Sequence, residues 1–250
     1  MAMHYHIEIR PKTLYFKKPA GTSRGTYTER KSWYICLTAE ETPGRQGIGE
    51  CAPLPKLSCD DVPGYEEVLA KACQNYTRTG RINVDELRDY PSILFGLETA
   101  IRHFEAGSFA LWDTPFSRGE TGIPINGLVW MGSYEEMLKQ AADKIKSGFR
   151  CIKLKIGAID FDKELEILRI IRKQFSSDEI ELRVDANGAF SPNEAMTKLN
   201  RLAELDLHSI EQPIRAGQWD EMALLAASSP VPIALDEELV GCNTPEKKKE

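Results

Sequence analysis

Cys151-Ile152-Lys153-Leu154-Lys155-Ile156 places two lysines inside an otherwise apolar segment. In an extended strand, residues two apart share a face, so Lys153 and Lys155 project together while Ile152, Leu154 and Ile156 face the other way. Burying two ammonium groups side by side is unfavourable. Each disfavours the other's charge and loss of hydration disfavours both, which moves a lysine towards the neutral amine that can take a proton. An edge strand with solvated lysines would give the same pattern, because lysine also guards sheet edges. The segments downstream separate the two readings.

From this strand outward, strand and helix patterns alternate. Strands are expected at residues 123–129, 151–156, 180–185, 208–211 and 232–236, with a helix in each interval. Ser133 with Glu136, and Ser191 with Glu194, are spaced as capping boxes that satisfy free backbone donors at helix starts. Pro192 stands at a first helical position, where its missing donor does no harm. Strand starts spaced roughly 25 to 30 residues apart, with helices between, are what a parallel βα fold requires. Thr244-Pro245-Glu246 reads as one more helix start.

Three of these strands end in a carboxylate: Asp185, Glu211 and Asp236. Leu182, Val184, Ile210, Ile233 and Leu235 take the opposite, helix-facing parity, so the acids share a face with the lysines. In a parallel βα barrel the C-terminal strand ends form the mouth where chemistry is done. Three carboxylates brought within about 5 Å repel by roughly 3 kcal/mol per pair at an effective dielectric near 20, so the cluster calls for a cation. Oxygen ligands without His or Cys, with room left for water and substrate, favour Mg2+, with Mn2+ as an alternative. A metal held by Asp185, Glu211 and Asp236 would bind a substrate carboxylate and stabilise the enediolate left when its α-proton is removed. Lys155, nearer the mouth, is the candidate general base. Lys153, one pleat deeper, is expected to hold the carboxylate and lower its neighbour's pKa. Asn187, of the same parity as Asp185, adds a polar substrate contact.

The upstream part reads differently. Residues 5–16 and 27–38 are strand-like and joined by a long connection over 18–26, with a third strand near Gln46-Gly47-Ile48-Gly49-Glu50. Helices follow at 65–79 and 92–106, each closed by a glycine. His103, beside the apolar stripe of the second helix, is read as structural. Interruptions at Pro115, Gly119 and Gly122 put the boundary between an α+β domain, residues 1–115, and the βα portion, residues 116–250.

Composition narrows the partners. The chain is 42% hydrophobic and 28% charged, with a net charge of -6, and lacks a basic cluster interleaved with aromatics, which argues against nucleic acid. No apolar run reaches the length of a membrane span or a signal-peptide core. A cytoplasmic protein acting on a small-molecule carboxylate is expected, with six reduced, mostly buried cysteines and the oligomeric state left open.

Lys153-x-Lys155, Asp185-Ala186-Asn187, Glu211-Gln212-Pro213 and Asp236-Glu237 together resemble the enolase superfamily, in its muconate-lactonising-enzyme-like branch. The resemblance implies an α/β fold: a TIM-type barrel, incomplete here with about five βα units present, preceded by an α+β capping domain. Gly47-Ile48-Gly49-Glu50-Cys51-Ala52-Pro53-Leu54-Pro55, Ile123-Pro124-Ile125-Asn126-Gly127-Leu128-Val129-Trp130-Met131-Gly132 and Ile233-Ala234-Leu235-Asp236-Glu237-Glu238-Leu239 resemble the o-succinylbenzoate synthase family of menaquinone biosynthesis. That implies dehydration of 2-succinyl-6-hydroxy-2,4-cyclohexadiene-1-carboxylate, with the loops at residues 20–26 and 51–59 closing over the substrate. Racemisation or epimerisation of N-acylamino acids or dipeptides, and muconate-type cycloisomerisation, use the same constellation. The family also carries a third lysine on the strand after Asp236. Its expected place lies past Glu250, so the chain is expected to be part of a longer protein, and an inactive truncated fragment is a further alternative.

Overall fold

Aromatic and β-branched residues build a long antiparallel hairpin of β1 (Tyr5–Thr22) and β2 (Gly25–Ala39), with β3 (Gly47–Cys51) added on the far side of β2. The computed structural model describes residues 3–22 and 25–249, in two units: Met1–Ile123 with Val240–Glu250, and Pro124–Leu239. The division falls at Ile123, eight residues beyond the expected end of the first domain at residue 115.

The hairpin differs from expectation. The connection expected over residues 18–26 is largely strand, since pairing resumes at Ala20↔Tyr27, Gly21↔Thr26 and Thr22↔Gly25. The irregularity lies earlier, between Tyr15 and Ala20, where Phe16 to Pro19 oppose Thr28 alone. Pro19 has no N–H to donate, so the extra residues bulge out and the ladder continues past them. Ser23 and Arg24, in the expected connection, lie outside the described residues.

Helices α1 (Tyr65–Thr79) and α2 (Pro91–Ala106) each close on a left-handed glycine, Gly80 and Gly107. Ile93, Leu97, Ala100 and Phe104 of α2 are buried in the core of this unit. Strand β3 lies against α2 backbone to backbone: a Cβ on Gly49 would meet the Gly96 carbonyl oxygen at 1.8 Å, and one on Gly47 the Ala100 oxygen at 2.0 Å. His103 is buried and structural, its Nδ1 accepting the Ile48 N–H at 3.0 Å while its ring lies 4.1 Å from that of Phe109.

The second unit is a parallel sheet in the order β4 (Gly127–Val129), β5 (Cys151–Lys155), β6 (Glu181–Asp185), β7 (Ser209–Glu211) and β8 (Ile233–Ala234). Helices α3 (Tyr134–Lys146), α4 (Phe161–Gln174), α5 (Pro192–Ala203) and α6 (Trp219–Ser228) alternate with the strands. Ile152, Leu154, Leu182, Val184 and Ile210 are fully or almost fully buried, in one core with Met137, Leu165, Leu168, Leu199 and Met222 of the helices. Strand β5 lies between β4 and β6, which excludes the sheet-edge explanation of its lysines.

The first strand of this sheet is shorter than expected. Residues 123–126 are not strand, and Ile123 and Ile125 are exposed. Pro124 cannot donate to a ladder, and pairing with β5 starts only at Gly127↔Ile152. The last strand is also short, so Asp236 follows β8 and precedes a single 3-10 turn over Glu237–Leu239. Leu235, expected to face the helices, is 37% exposed. The helix expected from Thr244 is a turn among the described residues, with Lys248 N–H donating to the Thr244 carbonyl at 3.2 Å. Among the described residues no helix is long and apolar enough to cross a membrane. None of the six cysteines forms a disulfide, and Cys36, Cys51 and Cys73 are buried.

Candidate active site

Strand register builds the site. Lys155 pairs with Asp185 and Asp185 with Glu211, so one row across β5, β6 and β7 presents a lysine and two acids at the C-terminal strand ends. Lys153, two residues earlier, pairs with Arg183 in the row beneath. The ladder runs on past the strands through Ala186 N–H to the Glu211 carbonyl at 3.0 Å and Gln212 N–H to the Ala234 carbonyl at 2.9 Å, which holds the strand ends rigidly side by side.

The side chains converge on Asp185, itself 1% exposed. Lys155 Nζ donates to Asp185 Oδ2 at 3.0 Å and to Asn187 Oδ1 at 2.7 Å. Lys153 Nζ lies 3.2 Å from Asp185 Oδ2 and 2.5 Å from Glu211 Oε2. Asn187 reaches the cluster because its backbone is left-handed, with φ 43°. Its N–H donates to Asp185 Oδ1 at 3.0 Å and its Nδ2 to Glu237 Oε1 at 3.2 Å. Lys153, Lys155, Asp185, Asn187 and Glu211 are thus brought together. Asp236 is not hydrogen-bonded into the cluster through its carboxylate; its N–H is held instead, by Gln212.

The electrostatics differ from expectation at Lys153. Burial acts most strongly and pulls its pKa down. The hydrogen bond to Glu211 and the charges of Asp185 and Glu211 outweigh burial, and the net direction is up. The mutual disfavouring of charge expected of the lysine pair does not prevail at Lys153, because its ammonium faces Asp185 and Glu211 rather than only the other lysine. The Glu211 carboxyl is pushed up by burial and by the charges of Asp185 and Asp236, against the pull of Lys153. Asp236, although exposed as a residue, is also pushed up, by loss of hydration and then by the charges of Glu237 and Asp185.

Among the described residues no three His, Cys, Asp or Glu side chains are already gathered as a metal site. The donor set nevertheless suits a hard cation. It is all carboxylate oxygen, two of its acids are held above their usual range among like charges, and a lysine ammonium already bridges Asp185 and Glu211.

Three supporting residues carried no isolated signal in the sequence. Trp130, just past β4, lays its ring 5.3 Å from Lys155 Nζ. Its backbone is clasped by Gln140, which accepts the Trp130 N–H at 2.9 Å and donates to its carbonyl at 3.2 Å. Glu164, buried at the start of α4, accepts the N–H groups of Gly157, Ala158 and Ile159 at 2.7, 3.2 and 3.3 Å, pinning the turn that follows Lys155. Gln212 is wholly buried behind Glu211.

Comparison with known proteins shows the family and the fold. Residues 136–245 match the family model described as enolase C-terminal domain-like, and residues 22–104 that described as MenC, N-terminal domain. The chain is 42% identical over 267 residues to an o-succinylbenzoate synthase of Desulfotalea psychrophila, covering 94% of this chain and 72% of that protein. The crystal structure of MenC from Desulfotalea psychrophila LSv54 superposes with a TM-score of 0.78 at 35% identity, over 98% of this chain and 74% of that one. An o-succinylbenzoate synthase structure from Thermosynechococcus elongatus BP-1, complexed with Mg in its active site, shares the fold with a TM-score of 0.72 at 24% identity, over 92% and 68% of the two chains. A barrel with five strands present and an antiparallel cap accords with these neighbours. On this likeness over nearly its whole length, the chain belongs to the enolase superfamily and, within it, to the o-succinylbenzoate synthase family.

Proposed function

We propose that the protein catalyses the Mg2+-dependent dehydration of 2-succinyl-6-hydroxy-2,4-cyclohexadiene-1-carboxylate to 2-succinylbenzoate, as a cytoplasmic hydro-lyase of menaquinone biosynthesis. The observation that carries this reading is the row Lys155, Asp185, Glu211 at the strand ends, with the Lys155 amine held 3.0 Å from Asp185. Lys155 is the general base that takes the proton α to the substrate carboxylate. Lys153, one pleat deeper, holds that carboxylate by charge. Asn187, hydrogen-bonded to both Lys155 and Asp185, keeps the amine aimed.

Asp185, Glu211 and Asp236 would hold Mg2+, or Mn2+ in its place. When bound, the ion supplies positive charge against the carboxylate on which negative charge develops. The proton lost from one ring carbon and the hydroxide lost from its neighbour balance as one water, and the ring becomes aromatic. Racemisation begins with the same proton abstraction, whereas cycloisomerisation closes a lactone ring onto a double bond and then protonates the resulting enolate; the MenC-type N-terminal match favours dehydration over both. Substitution Lys155→Ala in the full chain is expected to lower turnover by about 10²- to 10⁴-fold, the usual worth of a positioned base. Full dehydratase activity in that variant would overturn the reading.

A further inference from the structure

Gln212 spends its whole side-chain amide on the turns around Asp236. Its Oε1 accepts the Asp236 N–H at 3.1 Å and the Glu238 N–H at 3.2 Å. Its Nε2 donates to the Ile214 carbonyl at 3.0 Å and to Glu238 Oε2 at 3.2 Å. Two N–H groups at one end and two acceptors at the other leave only one orientation for the amide. Its backbone carbonyl also accepts the Gly188 N–H at 2.7 Å, and Glu238, itself buried, accepts the Gly217 N–H at 2.7 Å through Oε1.

One buried residue therefore ties together the turns that follow β6, β7 and β8; Asp185 and Glu211 end the first two strands, and Asp236 lies in the turn after the third. Gln212 adopts φ 42°, a left-handed conformation unusual for a residue with a side chain, and the network holds it there. The Asp236 carboxylate accepts no hydrogen bond among the described residues, so the place of this acid is set through its backbone. Gln212 Oε1 is the side-chain group that fixes that backbone.

We infer that Gln212 is a positioning residue for the metal site, holding Asp236 against Asp185 and Glu211 by accepting the Asp236 and Glu238 N–H groups. The inference rests on the Mg2+ reading above. Groups that orient metal ligands are typically worth 10- to 100-fold in metal affinity.

The test titrates Mg2+ alone into the folded full chain by calorimetry, with circular dichroism as the measure of folding. Gln212→Met is expected to weaken Mg2+ binding about 10- to 100-fold. Leu199→Ala, a truncation in the helix-facing core, is expected to lower the melting temperature while leaving Mg2+ affinity within about threefold of wild type. Gln212→Glu keeps the acceptor for both N–H groups but sets a second acid against Glu238. It is expected to weaken binding as a single change and to recover in part when combined with Glu238→Gln, which restores the donor between the two side chains while the Ile214 carbonyl stays without one. This pair decides the matter if Gln212→Met fails to fold. Wild-type affinity in Gln212→Met, equal loss in Leu199→Ala, or no rescue in the double variant would overturn the inference while leaving the metal reading intact. No Mg2+ binding by the wild-type chain would remove the metal reading, and the inference with it.

Discussion

Lys153 Nζ stands 2.5 Å from Glu211 Oε2, across two strands and 58 residues of sequence. The same ammonium lies 3.2 Å from Asp185, so a lysine serves as the counter-ion of two proposed metal ligands. This explains why its pKa rises despite burial, and it makes protein cation and metal ion competitors for the same oxygens.

Removing that ammonium should therefore be felt differently with and without metal. Lys153→Met leaves Glu211 without its cation and Asp185 with Lys155 alone, and the metal-free variant is expected to melt below wild type. Saturating Mg2+ should raise its melting temperature more than that of wild type; a ligand at 100 times its Kd stabilises by about 2.7 kcal/mol. Equal shifts in thermal melts would show that ion and ammonium do not share the acids.

Asn187 joins base and acid. Asn187→Gly tolerates the left-handed backbone and removes only the side chain, so strain does not confuse the outcome. Turnover is expected to fall about 10- to 100-fold with KM little changed, the pattern of a lost orienting contact. A rise in KM alone would make Asn187 a substrate contact instead.

Glu164 carries a pH signature. Burial pushes its carboxyl above the usual 4.5, against the pull of three backbone N–H groups. An acid whose folded pKa is raised binds its proton more tightly in the folded state, so its contribution is full below 4.5 and is lost as pH rises through the folded value. Glu164→Gln removes this dependence. The stability of wild type relative to the variant should fall as pH rises through that window in denaturant titrations, and a constant difference would refute the assignment.

Gly49 tests the cap. A Cβ there would overlap the Gly96 carbonyl oxygen, which is backbone and cannot swing aside. Gly49→Ala is expected to destabilise by at least the 1–3 kcal/mol usual for overpacking, read as a lower midpoint in urea. An unchanged midpoint would mean that β3 and α2 do not pack backbone to backbone.

Much of the site was legible because its periodicity is local. Ile152 and Leu154 against Lys153 and Lys155 is a strand with two unlike faces. Asp185 and Glu211, each the last residue of its strand, fall at the spacing a βα unit imposes. The chemistry of the donor set, oxygen-rich and anionic, could be read from residue types alone. So could His103 and the glycine-closed helices of the cap.

Other features depend on partners the chain brings together only on folding. Residues 123–126 have strand-like composition, but Pro124 offers no donor and pairing with β5 begins at Gly127. Lys18 to Thr26 looked like a loop, yet the ladder resumes within it because the partners of Ala20 to Thr22 are in register. Glu164 is an ordinary polar residue in sequence and Gln212 is legible only as part of Glu211-Gln212-Pro213; what each does comes from backbone N–H groups up to 26 residues away. The sequence by itself determined which residues line the strand ends, since strand parity and βα spacing are properties of the covalent chain. Only tertiary structure decided their ionisation and aim, because a lysine's charge depends on which carboxylates lie within hydrogen-bond reach, and that distance is set by register across the sheet.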